Sequence, residues 1–154
     1  MKTILLFLLL YNFSFSQKSN IDYFTLYKGG TKHAKPIKHI LFDASKENNL
    51  KKISNGRMGF YINKEHFVFD EIKHKITTCT ELELVNLKLD KPETLQNQAY
   101  LFYKKLKEKE EAKRKTKLAY PVAAYNSYFK IFLLEKNTNG TINKYEVDWP
   151  YEKF

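Results

Sequence analysis

The sequence is poor in the residues that mark several common protein classes. Its single cysteine, Cys79, cannot form an internal disulfide, which excludes a disulfide-stapled scaffold. Five glycines and four prolines are too few for a low-complexity or collagen-like chain. The sequence also lacks a phosphate-binding loop, a zinc-ligand spacing and a nucleophile elbow. These absences predict no catalytic residue and no cofactor.

The 154 residues are enough for one domain, and their composition is that of a folded protein. Apolar residues make up 43% of the chain and aromatic residues 16%, which excludes a disordered basic tail. The chain has 27 Lys and Arg against 17 Asp and Glu, a net charge of +10. This balance favours solubility and acidic partners.

Residues 1–16 have the pattern of a cleaved signal peptide. A positive start is followed by an apolar run, Ile4 to Leu10, and the small residues Ser14 and Ser16 precede the expected cleavage site. An uncleaved anchor is disfavoured because the apolar stretch is shorter than the roughly 20 residues that cross a bilayer. No later stretch of the sequence is long and apolar enough to do so. We therefore expect residues 17–154 to form a single domain that is periplasmic or secreted. Cleavage removes one of the 27 basic residues, which leaves a net charge of +9.

Apolar runs and turn signals predict strands in the first half of the domain. Ile37 to Phe42, Met58 to Ile62 and Phe67 to Phe69 are rich in strand-forming residues. Asn55–Gly56 is a strong hairpin signal because both residues tolerate positive φ. An antiparallel β-meander is therefore expected over residues 37 to 69. Cys79 follows a strand-like segment and is expected in the core, the alternative being a reactive or intermolecular thiol.

One long helix is predicted over about residues 91–117. Asp90 and Glu93 can form a capping box, and Pro92 is tolerated in the first turn. A stripe of apolar residues at helical spacing should face a sheet. This stripe consists of Leu95, Ala99, Phe102, Tyr103 and Leu106. Between residues 107 and 117 the only apolar residue is Ala112, so this half of the helix is expected to be solvated and to project or fray.

The last strands are predicted to form a C-terminal β-hairpin. If Asn139–Gly140 alone occupies the turn, Leu134 opposes Tyr145 and Phe132 opposes Val147. The last strand is half polar on its other face, so it is expected at a sheet edge or under a covering segment. The fold class is therefore α+β, with a meander, one long helix and the hairpin packed as a single domain.

Asp70, Glu71 and His74 are the densest group of acidic and imidazole side chains. At a strand end they could bind zinc or supply a base with an orienting carboxylate. The other interpretation is a solvated charged turn. The four histidines show no pair at the three- or four-residue spacing of a helical metal site.

The basic end of the helix is the main candidate for binding. Between residues 104 and 117 there are eight Lys or Arg and three Glu, a local excess of five positive charges. Such a segment can contact phosphates or other anions, whereas it lacks the apolar face of a membrane-surface helix. Its alternative role is solubility. The expected contact residues are Lys109, Lys113, Arg114, Lys115 and Lys117, together with Tyr125, Tyr128 and Tyr151.

The resulting functional prediction is a small exported, non-catalytic binding or accessory protein. Its partner would be an acidic protein, a polyanion or an envelope component. Two alternatives stay open. One is a secreted metal-dependent hydrolase or nuclease, and the other is an inhibitor or immunity-type module that binds through an edge strand.

Overall fold

The computed structural model describes residues 21–26, 29–115, 117 and 127–150. Within these ranges the chain is mixed α+β, as the sequence predicts, with nine strands in three sheets. The predicted signal peptide lies outside the described residues. The strands are β1 (Tyr23–Thr25), β2 (Lys32–Ala34), β3 (Ile37–Phe42), β4 (Asn49–Ser54), β5 (Arg57–Ile62), β6 (Glu65–Asp70), β7 (Ile76–Cys79), β8 (Lys130–Lys136) and β9 (Ile142–Val147). The helices are α1 (Glu81–Asn86) and α2 (Leu95–Arg114), and a 3-10 turn over Pro92–Thr94 precedes α2.

The strands form a ribbon, a mixed sheet and a meander. The ribbon pairs β1 with β2, the mixed sheet has the order β3-β8-β9-β7, and the meander has the order β4-β5-β6. The meander joins the mixed sheet where Val68 and Asp148 exchange two backbone hydrogen bonds of 2.8 Å each. One hydrophobic core cluster takes residues from all three sheets and from α2.

The meander has the turns that its sequence predicts. Asn55 and Gly56 both have positive φ, 47° and 71°, and form a two-residue turn in which Ser54 pairs with Arg57. Asn63 also has positive φ, 55°, in the turn between β5 and β6. Asparagine and glycine adopt this conformation at low cost, so the residues at each turn fix the register of its hairpin.

β3 does not belong to the meander, so the prediction of a meander over residues 37–69 is wrong for its first strand. β3 pairs in parallel with β8, and Ile37 lies opposite Lys130. In the loop after β3, the Asp43 carboxylate accepts hydrogen bonds from the Ser45 backbone N–H at 3.0 Å and the Ser45 hydroxyl at 2.6 Å. A parallel pair needs a long crossover connection, which residues 43–129 provide here.

The C-terminal hairpin is present, but its predicted register is wrong by one residue. Its loop has three residues rather than two: the Asn137 backbone N–H donates to Thr141 at 2.8 Å, and Gly140 has a φ of 82°. A three-residue loop that ends in a left-handed glycine is a common hairpin connection. The shift pairs Leu133 with Tyr145 instead of Leu134. β9 also lies between β8 and β7, so it is not an edge strand.

The predicted apolar stripe of α2 is confirmed, as is the single long helix, whereas the predicted cap is wrong. Leu95, Ala99 and Tyr103 are buried, and Phe102 and Leu106 pack partly buried against the core. Asp90 does not cap the helix, because its carboxylate accepts from the Lys38 ammonium at 3.2 Å. The helix ends at Arg114, where Lys115 takes a left-handed φ of 56°.

Helix α1 was not predicted, although its sequence has a clear start signal. The Thr80 hydroxyl accepts from the Glu83 backbone N–H at 3.2 Å, and the Glu83 carboxylate accepts from the Thr80 backbone N–H at 2.7 Å. This reciprocal pair is a capping box. Its six residues are too short to show a helical period, which explains why the apolar pattern alone does not indicate it.

Candidate functional site

The exposed side of the last turns of α2 carries a row of lysines. Lys105, Lys109 and Lys113 lie four residues apart and are all exposed. At about 1.5 Å per residue, successive members are about 6 Å apart along the helix axis. We call these three residues the lysine ridge. Lys109 and Lys113 are among the predicted contact residues. Lys105 is not among them, and the structure adds it to the group.

The lysines of the ridge form no salt bridge with a described carboxylate, although the charge of Lys113 lowers the pKa of Glu110. Among the residues that the structure describes, no carboxylate lies within 4.0 Å of any of its three ammonium groups. Like charges four residues apart destabilise a helix by about 0.2–0.5 kcal/mol per pair. The ridge therefore presents positive charge to solvent at a small cost in helix stability.

Glu110 lies between Lys109 and Lys113 in the sequence and is buried. It is only 3% exposed, and its carboxylate accepts from the Arg114 guanidinium Nε at 3.4 Å. A hydrogen bond from the Thr31 side chain, followed by that from Arg114, holds the pKa of Glu110 below its ordinary value, against the opposing effect of burial. His33 places Nε2 3.7 Å from the same carboxylate. Glu110, the acidic residue in the middle of the basic segment, therefore makes its contacts inside the protein and not at the surface.

These contacts attach the end of the helix to the loop and strand around residues 29–33. The Arg114 guanidinium also donates to the Gly29 carbonyl at 3.3 Å. The prediction of a fully solvated, projecting or fraying end is therefore wrong for Glu110. A run of charged residues predicts a solvated helix end. A buried carboxylate is nevertheless tolerated when hydrogen bonds satisfy it, as they do for Glu110.

The remaining predicted contact residues fall into three groups. Lys115 and Lys117 are exposed beyond the end of α2. Arg114 is exposed, but its guanidinium already contacts the Glu110 carboxylate and the Gly29 carbonyl. Tyr125 and Tyr151 lie outside the described residues.

Tyr128 is not part of a surface patch, contrary to the prediction. It is fully buried, with its ring 4.9 Å from Phe24 and 6.1 Å from Tyr103, measured between centroids. A large ring at the start of β8, next to α2, fills the core instead of contacting a partner. The lysines and Arg114 are therefore the only predicted contacts that the structure places on the surface, within the part of the chain it describes.

Asp70 and His74 do come together, but in a structural turn. The Asp70 backbone N–H donates to His74 Nδ1 at 2.9 Å, and the Asp70 carboxylate accepts from the Ile72 backbone at 3.0 Å. That backbone hydrogen bond and the one from Arg57 lower the pKa of Asp70. Within the described ranges, no group of three or more His, Cys, Asp or Glu is placed to hold a metal ion.

Replacing His74 with alanine should therefore affect stability. The imidazole is 8% exposed, and its loss leaves the Asp70 N–H without its acceptor, so we expect the free energy of unfolding to fall by about 1–2 kcal/mol. Urea denaturation measures this change, with Glu71→Ala, at an exposed neighbour, as the control. A melting temperature of the unmodified protein that falls on addition of EDTA would contradict the structural role and restore the metal hypothesis.

Cys79 is not in the core, contrary to the prediction. It ends β7, which lies at the edge of the mixed sheet, and it is half-buried with its thiol 3.3 Å from the Thr80 carbonyl. Burial, followed by the charge of Glu83, raises the pKa of the thiol. This cysteine is thus poorly suited to act as a nucleophile.

None of the helices in the described ranges is long and apolar enough to cross a membrane. No protein-family model, no curated protein and no solved structure matches the chain.

Proposed function

We propose that this protein is an exported, non-catalytic binding protein that holds a polyanion at the lysine ridge. One observation carries the proposal: three exposed lysines on consecutive helical turns form no salt bridge with a described carboxylate, while the intervening Glu110 is buried. Lysines that are not held in salt bridges keep their charge available to a polyanion, which solubility alone does not require.

The rest of the chain supports the same assignment. Lys115 and Lys117 continue the positive surface beyond the helix, and the net charge of the whole sequence is +10. The signal-peptide pattern of residues 1–16 supports export. An exported basic domain would meet anionic polymers of the envelope or of the surroundings.

The expected binding is driven by release of counterions. Lysines contact anionic groups as point charges, so affinity falls steeply with salt and depends weakly on the sequence of the polymer. The logarithm of the association constant changes with the logarithm of salt concentration, with a slope of about −0.9 per phosphate neutralised on duplex DNA. The slope therefore counts the contacts that the ridge makes.

The test compares two variants with the same total charge. In the first, Lys105, Lys109 and Lys113 are replaced by glutamate, and Arg114 is retained because it anchors Glu110. Binding to heparin and to duplex DNA is measured across a salt series. We expect at least a tenfold loss of affinity at 0.1 M salt and a slope shallower by about three, roughly one per lysine removed.

The control variant replaces three lysines elsewhere by glutamate. Lys46, Lys73 and Lys88 are exposed and lie outside the basic segment. If both variants lose affinity equally, net charge and not the ridge determines binding, and the proposal fails. It also fails if the unmodified protein binds no better than an unrelated basic protein of equal charge.

A further inference from the structure

A polar cleft lies between the first turns of α2 and the turn that joins β5 to β6. Its volume is about 690 Å³. Small-molecule sites commonly enclose roughly 300–1,000 Å³, so the cleft is large enough for a ligand and far larger than a metal ion requires. All of the described residues that line it have polar or charged side chains, and the aliphatic parts of these side chains supply most of the lining surface.

Most of the lining is carboxamide. The four amide side chains are Asn48, Asn63, Gln96 and Asn97. Each carboxamide offers two N–H donors and one carbonyl acceptor. A hydroxyl group also both donates and accepts, so this wall matches a ligand rich in hydroxyls. Asn63 already donates to Glu93 at 3.3 Å and Gln96 to Glu65 at 2.9 Å, so among the described residues the side chains of Asn48 and Asn97 have both donors and acceptors available for a ligand.

A buried carboxylate is fixed at one side of the cleft. Glu65 is 8% exposed and accepts from the Trp149 indole Nε1 at 2.7 Å and from Gln96 Nε2 at 2.9 Å. Both donors are neutral. Each carboxylate oxygen has a further acceptor position, so Glu65 can accept hydrogen bonds from a ligand without moving.

The charge of the cleft differs from that of the rest of the protein. Its ionisable lining residues are Glu65, Glu93 and Lys64, a net charge of −1 against +10 for the whole chain. A polyanion would meet two carboxylates here. We propose that this cleft binds a short, uncharged oligosaccharide, at a site separate from the lysine ridge.

Trp149 is a built-in reporter for this proposal. It is the only tryptophan of the sequence, so its indole N–H gives a single assignable resonance, and it donates directly to Glu65. The protein labelled with ¹⁵N is titrated with neutral oligomers of glucose, mannose, galactose and N-acetylglucosamine. A saturable shift of the indole resonance with at least one of them is expected.

Variants then locate the site. Asn48→Ala combined with Asn97→Ala removes two cleft amides and should raise the Kd about tenfold, as expected for two hydrogen bonds of about 0.5–1.5 kcal/mol each. Asn86→Ala, at an exposed amide on α1, should leave the Kd unchanged. The single variants serve the same purpose if the double variant fails to fold.

Three results would overturn the proposal. One is the absence of a saturable indole shift with any neutral oligosaccharide of the panel. The second is a shift with calcium chloride or heparin and none with a neutral sugar, which would make the cleft an ion site or part of the polyanion surface. The third is a Kd that is unchanged in the variants lacking the cleft amides. All three leave the lysine ridge untouched, because its test uses different residues and ligands.

Discussion

Replacing Phe60 with alanine is expected to lower the free energy of unfolding by about 3–5 kcal/mol. Phe60 is fully buried in β5, and its ring lies 5.3 Å from Phe42 and 5.1 Å from Tyr145, measured between centroids. Those two residues belong to the mixed sheet, so Phe60 connects the meander to it. Loss of the ring leaves a cavity between two sheets that β-pairing cannot close.

Urea denaturation measures this loss. The Lys51 ammonium, which pairs with Glu135 at 2.7 Å across the same two sheets, also lies 5.6 Å from the centroid of the Phe60 ring. Leu101→Ala is the control, since Leu101 is half exposed on α2 and its loss should change stability by no more than about 0.5 kcal/mol. A loss below about 1 kcal/mol for Phe60→Ala would show that this ring does not hold the sheets together.

Replacing Glu110 with alanine is expected to destabilise the protein by about 2–3 kcal/mol. The carboxylate is buried and accepts charge-assisted hydrogen bonds, of which that from Arg114 is 3.4 Å long. Amide hydrogen exchange should accelerate in the last turns of α2, because the contacts that attach them to the residues near Gly29 depend on this side chain. Glu108→Ala is a matched control, at an exposed glutamate one position before Lys109.

The contribution of Glu110 should also depend on pH. Its folded pKa lies below its ordinary value of 4.5, so its stabilisation is complete above that value and is lost as pH falls through the folded pKa. The difference in unfolding free energy between the unmodified protein and Glu110→Gln should therefore shrink as the solution is acidified below pH 4.5. A constant difference down to pH 3 would contradict the role of the ionised carboxylate.

Local signals explain which parts of the fold could be predicted from the sequence. The turn at Asn55–Gly56 and the apolar stripe of α2 depend on residues close in the chain, and the structure confirms both. The position of β3 depends on β8, nearly ninety residues later, so no local pattern could indicate it. The predicted register of the C-terminal hairpin is wrong because a two-residue turn and a three-residue turn at Asn139–Gly140 have the same sequence signal.

Only the charged residues of the candidate site could be predicted from the sequence. The lysines at 109 and 113 are evident from composition, and the structure places both at the surface. Which acid turns inward was not predictable, because Glu108, Glu110 and Glu111 have the same chemistry and only tertiary contacts distinguish them. The amide cleft was missed for a related reason: Asn48, Asn63 and Asn97 come from separate segments and meet only in the folded chain.

The parallel pairing of β3 with β8 has a consequence for the order in which the molecule can form. The meander closes through contacts between neighbours in sequence, so it can assemble early. The centre of the mixed sheet requires both β3 and a partner that ends at Lys136. Such distant pairing is slow, because the entropy of a long loop is lost before any contact compensates it. During synthesis the centre of the mixed sheet therefore cannot close until the ribosome has released β8, whereas the meander has all of its strands well before then.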